Sequence, residues 1–187
     1  MRLLETIHIV DGNPLNLVYH QKRLEYSRHT LGYSSSLILK LDPPSSGEYR
    51  CRVIYEEDIK KTEYIPYQKK EINTFKLIHS SIEYPLKYED RSELEQLFKQ
   101  KGEADEIIII KDGLVTDTSI ANLCFYNGQD WLTPKHPLLK GTTRQRLLDE
   151  NIIKCADIPY QEIHKFSKIA VINAMTDFTI IENAIIS

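Results

Sequence analysis

The sequence predicts an α+β protein. Segments rich in β-branched and aromatic residues recur along it, one long stretch near the start has helical periodicity, and shorter helical stretches separate later strands. A chain of 187 residues can bury one substantial core, or two small lobes sharing a cleft.

Residues 3–10 (LLETIHIV) form a first strand, and Asp11-Gly12-Asn13-Pro14 a turn. Residues 17–31 read as a helix, because Leu17, His20, Leu24, Ser27 and Leu31 recur at near-helical spacing, and Gly32 ends it. Residues 42–47 (DPPSSG) are a loop. Residues 48–56 alternate as a strand should, and residues 63–67 and 75–79 suggest two more. Arg50 and Arg52 share a face of the first of these, where they either meet a substrate carboxylate or pair with charges on an exposed antiparallel face.

A helix follows from residue 92 to about residue 100. Four consecutive isoleucines, at 107–110, make a strand apolar on both faces and hence buried in a sheet. Lys111-Asp112-Gly113 is a hairpin turn with Gly113 at positive φ. Leu114 and Val115 resume a strand that runs into Thr116-Asp117-Thr118-Ser119 and then Ala121-Asn122. A strand that ends in carboxylate, hydroxyls and amide is unusual if its only task is packing. A second hairpin at residues 126–129 leads to Trp131-Leu132-Thr133-Pro134, and Leu139-Lys140-Gly141-Thr142-Thr143-Arg144 precedes a helix at residues 145–150. A helix at residues 160–166, a strand at 169–172 ending in Asn173-Ala174-Met175-Thr176, and a last strand at 179–181 complete the chain.

The net charge of −3 gives no reason to expect nucleic acid or an anionic membrane as partner. No apolar run is long enough to span a bilayer, and residues 1–10 are interrupted by Arg2, Glu5 and His8, so no signal peptide is expected. Cys51, Cys124 and Cys155 are odd in number and widely separated, which points to reduced thiols in the cytoplasm and to neither a disulfide frame nor a metal site.

Gly141 with Thr142 and Thr143 at a helix start offers backbone N–H groups, hydroxyls and the positive end of a helix dipole. That suits a phosphate, and it also suits a threonine N-cap with no ligand. The order of the parts narrows the choice. An Asp-Glu-hydrophobic run, then G-x-V-T-[acid]-x-S-x-x-N, T-P and L-x-G-T-T-R, over residues 104–144, resembles the core signature of class IV aminotransferases. These are the fold-type IV pyridoxal-phosphate enzymes, among them branched-chain and D-amino-acid aminotransferases and aminodeoxychorismate lyase. The resemblance implies a two-lobed fold: a small α+β lobe (1–80) and a larger α/β lobe (81–187) carrying the lysine and most of the cofactor site, with pyridoxal 5'-phosphate in the cleft. It also implies a homodimer.

The same resemblance assigns residues. His20-Gln21-Lys22-Arg23-Leu24 is similar to the family's H-x-x-R-L element and follows an E-T-x-x-x-x-D-G turn, so Arg23 is expected at the cofactor phosphate and His20 as a structural hydrogen-bonding residue. Lys87, four residues ahead of Arg91, matches the lysine that carries the cofactor; Tyr84, Pro85, Leu86 and Tyr88 around it are apolar enough to desolvate an amine. Thr142 and Thr143 are expected at the phosphate and Asn173 beside it, with Asn122 structural. Asp117 stands where the family usually has glutamate, whose carboxylate keeps the pyridine nitrogen protonated. Its other reading is an Asx-type turn with Thr118 and Ser119.

Asn173-Ala174-Met175 looks closer to the lyase branch than to the branched-chain aminotransferases. The expected function is thus a lyase converting 4-amino-4-deoxychorismate to 4-aminobenzoate and pyruvate, a step of folate biosynthesis. The alternatives are an aminotransferase of D- or branched-chain amino acids and a non-catalytic relative kept for binding.

Overall fold

Strand β1 (Leu3–Val10) stands where a first strand was expected, with Leu3, Ile7 and Ile9 turned fully into the core. In the computed structural model, which describes residues 1–187, it is the second strand of a four-stranded antiparallel sheet. The short β2 (Asn13–Pro14) returns on it through a turn in which Asp11 and Gly12 both have positive φ. Helix α1 (Leu17–Thr30) covers the sheet through Leu24. The hairpin of β3 (Glu48–Tyr55) and β4 (Ile59–Pro66) completes the order β2-β1-β3-β4. Strand β4 begins four residues before the expected 63–67, because Ile59, Lys61 and Thr62 keep pairing along an exposed edge that hydropathy does not reveal.

The second sheet system starts with β5 (Thr74–His79), which pairs in parallel with β6 (Glu106–Lys111) across a crossover containing α2 (Ser92–Phe98). The isoleucines of β6 are 0–1% exposed, as expected of a strand covered on both faces. Strand β7 (Leu114–Val115) follows the turn at Asp112 and Gly113, both at positive φ. Strands β8 (Asn122–Tyr126) and β9 (Trp131–Pro134) form a hairpin, α3 (Thr142–Asp149) crosses over, and β10 (Ile153–Ala156) joins β9 in parallel. The helix expected at residues 160–166 is a 3-10 helix (Tyr160–Lys165), ahead of β11 (Lys168–Asn173), β12 (Asp177–Ile181) and β13 (Ile185–Ile186). The resulting sheets run β10-β9-β8-β11-β12 and β13-β5-β6-β7.

Alternation along β8 and β11 gives the five-stranded sheet two apolar faces. Leu123, Phe125, Ile169 and Val171 join Phe75, Ile108 and Ile110 of the other sheet in one core, while Cys124, Ala170 and Ile172 pack under Leu147 of α3.

The chain divides into two compact units, Met1–Lys69 with Leu86–Asp90, and Lys70–Pro85 with Arg91–Ser187. This corrects the expected boundary at residue 80 in two ways. Strand β5 belongs to the second unit, since its ladder partners are β6 and β13. The lysine belongs to the first: the Leu4 N–H donates to Lys87 O at 2.8 Å, Leu3 bridges to Tyr88, and Leu86 is buried in the β1–α1 core. No helix of the protein is long and apolar enough to cross a membrane.

Candidate active site

In the first unit the site residues gather around Glu5, whose side chain is fully buried on β1. Arg23 Nε donates to Glu5 Oε1 at 2.8 Å and Nη2 donates to Oε2 at 2.6 Å, a bidentate pair of the kind guanidinium geometry favours. His20, three residues earlier on the same helix, has Nδ1 2.6 Å from Glu5 Oε2. Burial pushes the Glu5 carboxyl up, but the Arg23 charge and the hydrogen bonds from His20 and Arg23 outweigh it and bring the pKa down to about 2. Burial lowers the His20 pKa, opposed by its Glu5 partner. Its Nδ1 donates to the ionised Glu5 carboxylate, and its buried Nε2 has no hydrogen-bond partner. Lys87, half-buried, is near enough for its charge to act on His20.

Arg23 is thus no solvated surface charge. Its side chain is 11% exposed, and two of its nitrogens are held by a residue that sequence reading left out of the site. The signal for Glu5 was present: a carboxylate on the inward face of an otherwise apolar strand must have a partner.

In the second unit the loop after β7 is locked by its own polar groups. Thr118 Oγ1 accepts from the N–H groups of Ile120 and Ala121, so the turn is made by Thr118 and not by Asp117. Ser119 Oγ donates to Glu106 Oε2 at 3.0 Å, and Arg91 Nη2 donates to Ser119 O at 2.7 Å. Glu106 and Arg91 therefore brace this loop, a role their positions in the motif order did not disclose.

Asp117 is left to point elsewhere. Its Oδ1 accepts from Asn122 Nδ2 at 2.7 Å and its Oδ2 from the Leu139 N–H at 2.8 Å. Both donors are uncharged amides. Burial raises its pKa to about 6, against those hydrogen bonds and the more distant Arg144 charge. A buried carboxylate held only by neutral donors is poised to accept a cationic partner.

Gly141 is the N-cap of α3, in extended conformation, so Thr142 and Thr143 form the first turn of the helix instead of preceding it. Both are buried, at 5% and 2% exposure, and no side chain caps the helix, which leaves the first-turn N–H groups without a side-chain acceptor. Arg144 Nη2 donates to Pro134 O and to Cys155 Sγ, tying this turn to β9 and β10. The start of α3 meets Asp117 through Asn122. Asn122 in turn pairs with Ile172 in the ladder, next to Asn173, so Asp117, Thr142 and Asn173 gather at one end of the five-stranded sheet.

Asn173 Oδ1 accepts from the N–H groups of Met175 and Thr176 and from Thr176 Oγ1, which holds the turn after β11.

A family model described as amino-transferase class IV matches residues 85–184. An uncharacterised protein of Haemophilus influenzae is 43% identical over 182 residues, spanning 92% of this chain and 97% of that protein. Among solved structures, that of a proposed 4-amino-4-deoxychorismate lyase from Haemophilus somnus 129PT is 38% identical, with TM-score 0.83 over 93% of this chain and 96% of that one. The PLP-bound form of a hypothetical aminotransferase from Mycobacterium tuberculosis has TM-score 0.79 at 15% identity, over 100% of this chain and 81% of that one, a likeness of fold alone.

Proposed function

This chain belongs to the class IV amino-transferase family, and from that premise we propose that it is a pyridoxal-phosphate enzyme that converts 4-amino-4-deoxychorismate to 4-aminobenzoate and pyruvate. The observation that carries the lyase reading is the 38% identity, over nearly the whole of both chains, to the proposed lyase of Haemophilus somnus.

The residues present fit the cofactor. The uncapped start of α3, with Thr142 and Thr143, offers the N–H groups and hydroxyls that a phosphate needs. Asp117, buried with only neutral donors, offers the charge that a protonated pyridine nitrogen needs. Lys87 supplies the amine, and Arg23 a guanidinium fixed by Glu5. Asn173 serves through the turn it holds. Bound to these residues, pyridoxal phosphate would supply an electron sink for charge developing next to the amine-bearing carbon.

The chain's own residues supply the rest. Lys87 would hold the cofactor through Nζ and, once released by the substrate amine, would take the proton from the amine-bearing ring carbon. The ring carbon–oxygen bond to the enolpyruvyl group then breaks, and Lys87 would return a proton to its methylene, giving pyruvate. Asp117 would hold its negative charge throughout, where it favours the transition state over the ground state. Aromatisation of the remaining ring drives the elimination.

Purified protein with pyridoxal phosphate should form 4-aminobenzoate and pyruvate in equal amounts from aminodeoxychorismate. The second reading is transamination, favoured by the family's name. Exchange of an amino group between an amino acid and a 2-oxo acid, without 4-aminobenzoate formation, would replace the lyase reading with that one.

A further inference from the structure

Asp117, Asn122 and Leu139 close a ring of three hydrogen bonds. Asn122 Nδ2 donates to Asp117 Oδ1 at 2.7 Å and to Leu139 O at 2.8 Å, and the Leu139 N–H donates to Asp117 Oδ2 at 2.8 Å. Both donors of the Asn122 amide nitrogen are thereby used, one on the acid and one on the segment that leads into α3.

The other end of the same amide faces the helix start. A Cβ at position 141 would overlap Asn122 Oδ1. Gly141 has φ −68° and ψ 148°, a conformation open to any residue, so glycine is required there for space and not for backbone freedom. One planar amide is thus wedged against the N-cap of α3 on one side and bonded to Asp117 on the other, at 5% exposure.

We propose that Asn122 is a positioning residue that sets the spacing between the Asp117 carboxylate and the start of α3. It thereby fixes the separation of the groups assigned to the pyridine nitrogen and to the phosphate. This rests on the pyridoxal-phosphate reading and adds to it a residue that touches neither end of the cofactor. An amide suits the task because its nitrogen donates in two directions while its oxygen sets a hard limit on the third. Apolar packing of equal volume would leave Asp117 Oδ1 and Leu139 O without their donor.

The test uses three probes on the full chain: pyridoxal phosphate, pyridoxal and inorganic phosphate, with binding measured for the parent, Asp117→Ala, Asn122→Ala and the double variant. Asp117→Ala should weaken pyridoxal and leave inorganic phosphate unchanged. Asn122→Ala should weaken pyridoxal phosphate, which must reach both groups at once, by about tenfold or more, the scale of a lost hydrogen bond to a charged group, and should weaken pyridoxal and inorganic phosphate, each of which reaches one, by less. Its effect on pyridoxal phosphate should shrink when Asp117 is already absent. A folded Asn122→Ala protein that binds pyridoxal phosphate like the parent, or that loses no more of it than of the two smaller probes, overturns the proposal.

Should the alanine variant fail to fold, Asn122→Asp keeps the size and sets a second carboxyl against Asp117. Its affinity for pyridoxal phosphate should then fall more steeply than the parent's as pH rises from about 6 to about 8, and a parallel profile overturns the proposal. A parent chain that binds none of the probes overturns the cofactor reading itself. An unaffected Asn122 variant beside a parent that binds them overturns only the role of Asn122.

Discussion

Arg23 grips Glu5 with one edge of its guanidinium, Nε to Oε1 at 2.8 Å and Nη2 to Oε2 at 2.6 Å. A fully buried carboxylate depends on such a partner, and the partner is oriented in return. Arg23→Ala should therefore lower stability by about 3–5 kcal/mol in the absence of any cofactor, because it strands the Glu5 charge. It should also weaken pyridoxal phosphate by roughly ten- to hundredfold. Urea unfolding and cofactor titration measure the two effects separately. Unchanged cofactor affinity in the face of lost stability would limit Arg23 to the pairing with Glu5.

Glu5→Gln tests the same pair through pH. The Glu5 pKa is held at about 2 against an ordinary 4.5, so the ionised pair stabilises the parent above about pH 4.5 and that stability is lost as pH falls through about 2. The contribution is on the order of 3 kcal/mol for a group this deeply buried. The stability gap between parent and variant should be widest near neutrality and should narrow as pH falls through this range. A gap independent of pH would contradict the ionised pair.

Asp117 has the opposite sign. Burial raises its pKa from 3.8 to about 6, so the folded chain holds its proton more tightly and loses stability as pH rises through about 6. Asp117→Asn should make the cofactor-free protein more stable than the parent at pH 8. The gain is on the order of 3 kcal/mol, less about 1 kcal/mol because one of the two amide donors then lacks an acceptor. The advantage should fade as the pH falls towards about 4. The cofactor should still bind while turnover drops by orders of magnitude. Thermal or urea unfolding against pH, with 4-aminobenzoate formation alongside, measures both; full activity in the Asn variant would remove the carboxylate from the chemistry.

Lys87 is tested by attachment. Protein loaded with pyridoxal phosphate should be yellow, and borohydride should fix the cofactor on the peptide that contains Lys87. A label on Lys76 or Lys99, or no label, would reject the assignment and favour a binding role without catalysis.

Much of the fold was legible because it is local. The strand at residues 3–10, four isoleucines in β6 and the positive φ of Gly113 are read from neighbours a few residues apart. The edge residues of β4 were not legible, since polar residues pair through their backbones whatever their side chains. The start of α3 was placed late for a related reason: Thr142 and Thr143 have no helical pattern of their own and are buried by their surroundings.

By itself the sequence determined the order of the motifs, and with it the family, because that order is a property of the chain alone. It also determined that Asp117 replaces the usual glutamate. Tertiary structure decided what each of these residues touches. Lys87 joined the first unit through the Leu4 N–H, more than eighty positions away in sequence, as its neighbour Tyr88 did through Leu3. Glu5 entered the site through Arg23, 18 residues on, and Asp117 met Leu139 across 22. The physical reason is desolvation: once folding buries a charged or polar group it must find a hydrogen-bond partner wherever the chain supplies one. Periodicity, which sees only near neighbours, carries no record of that choice.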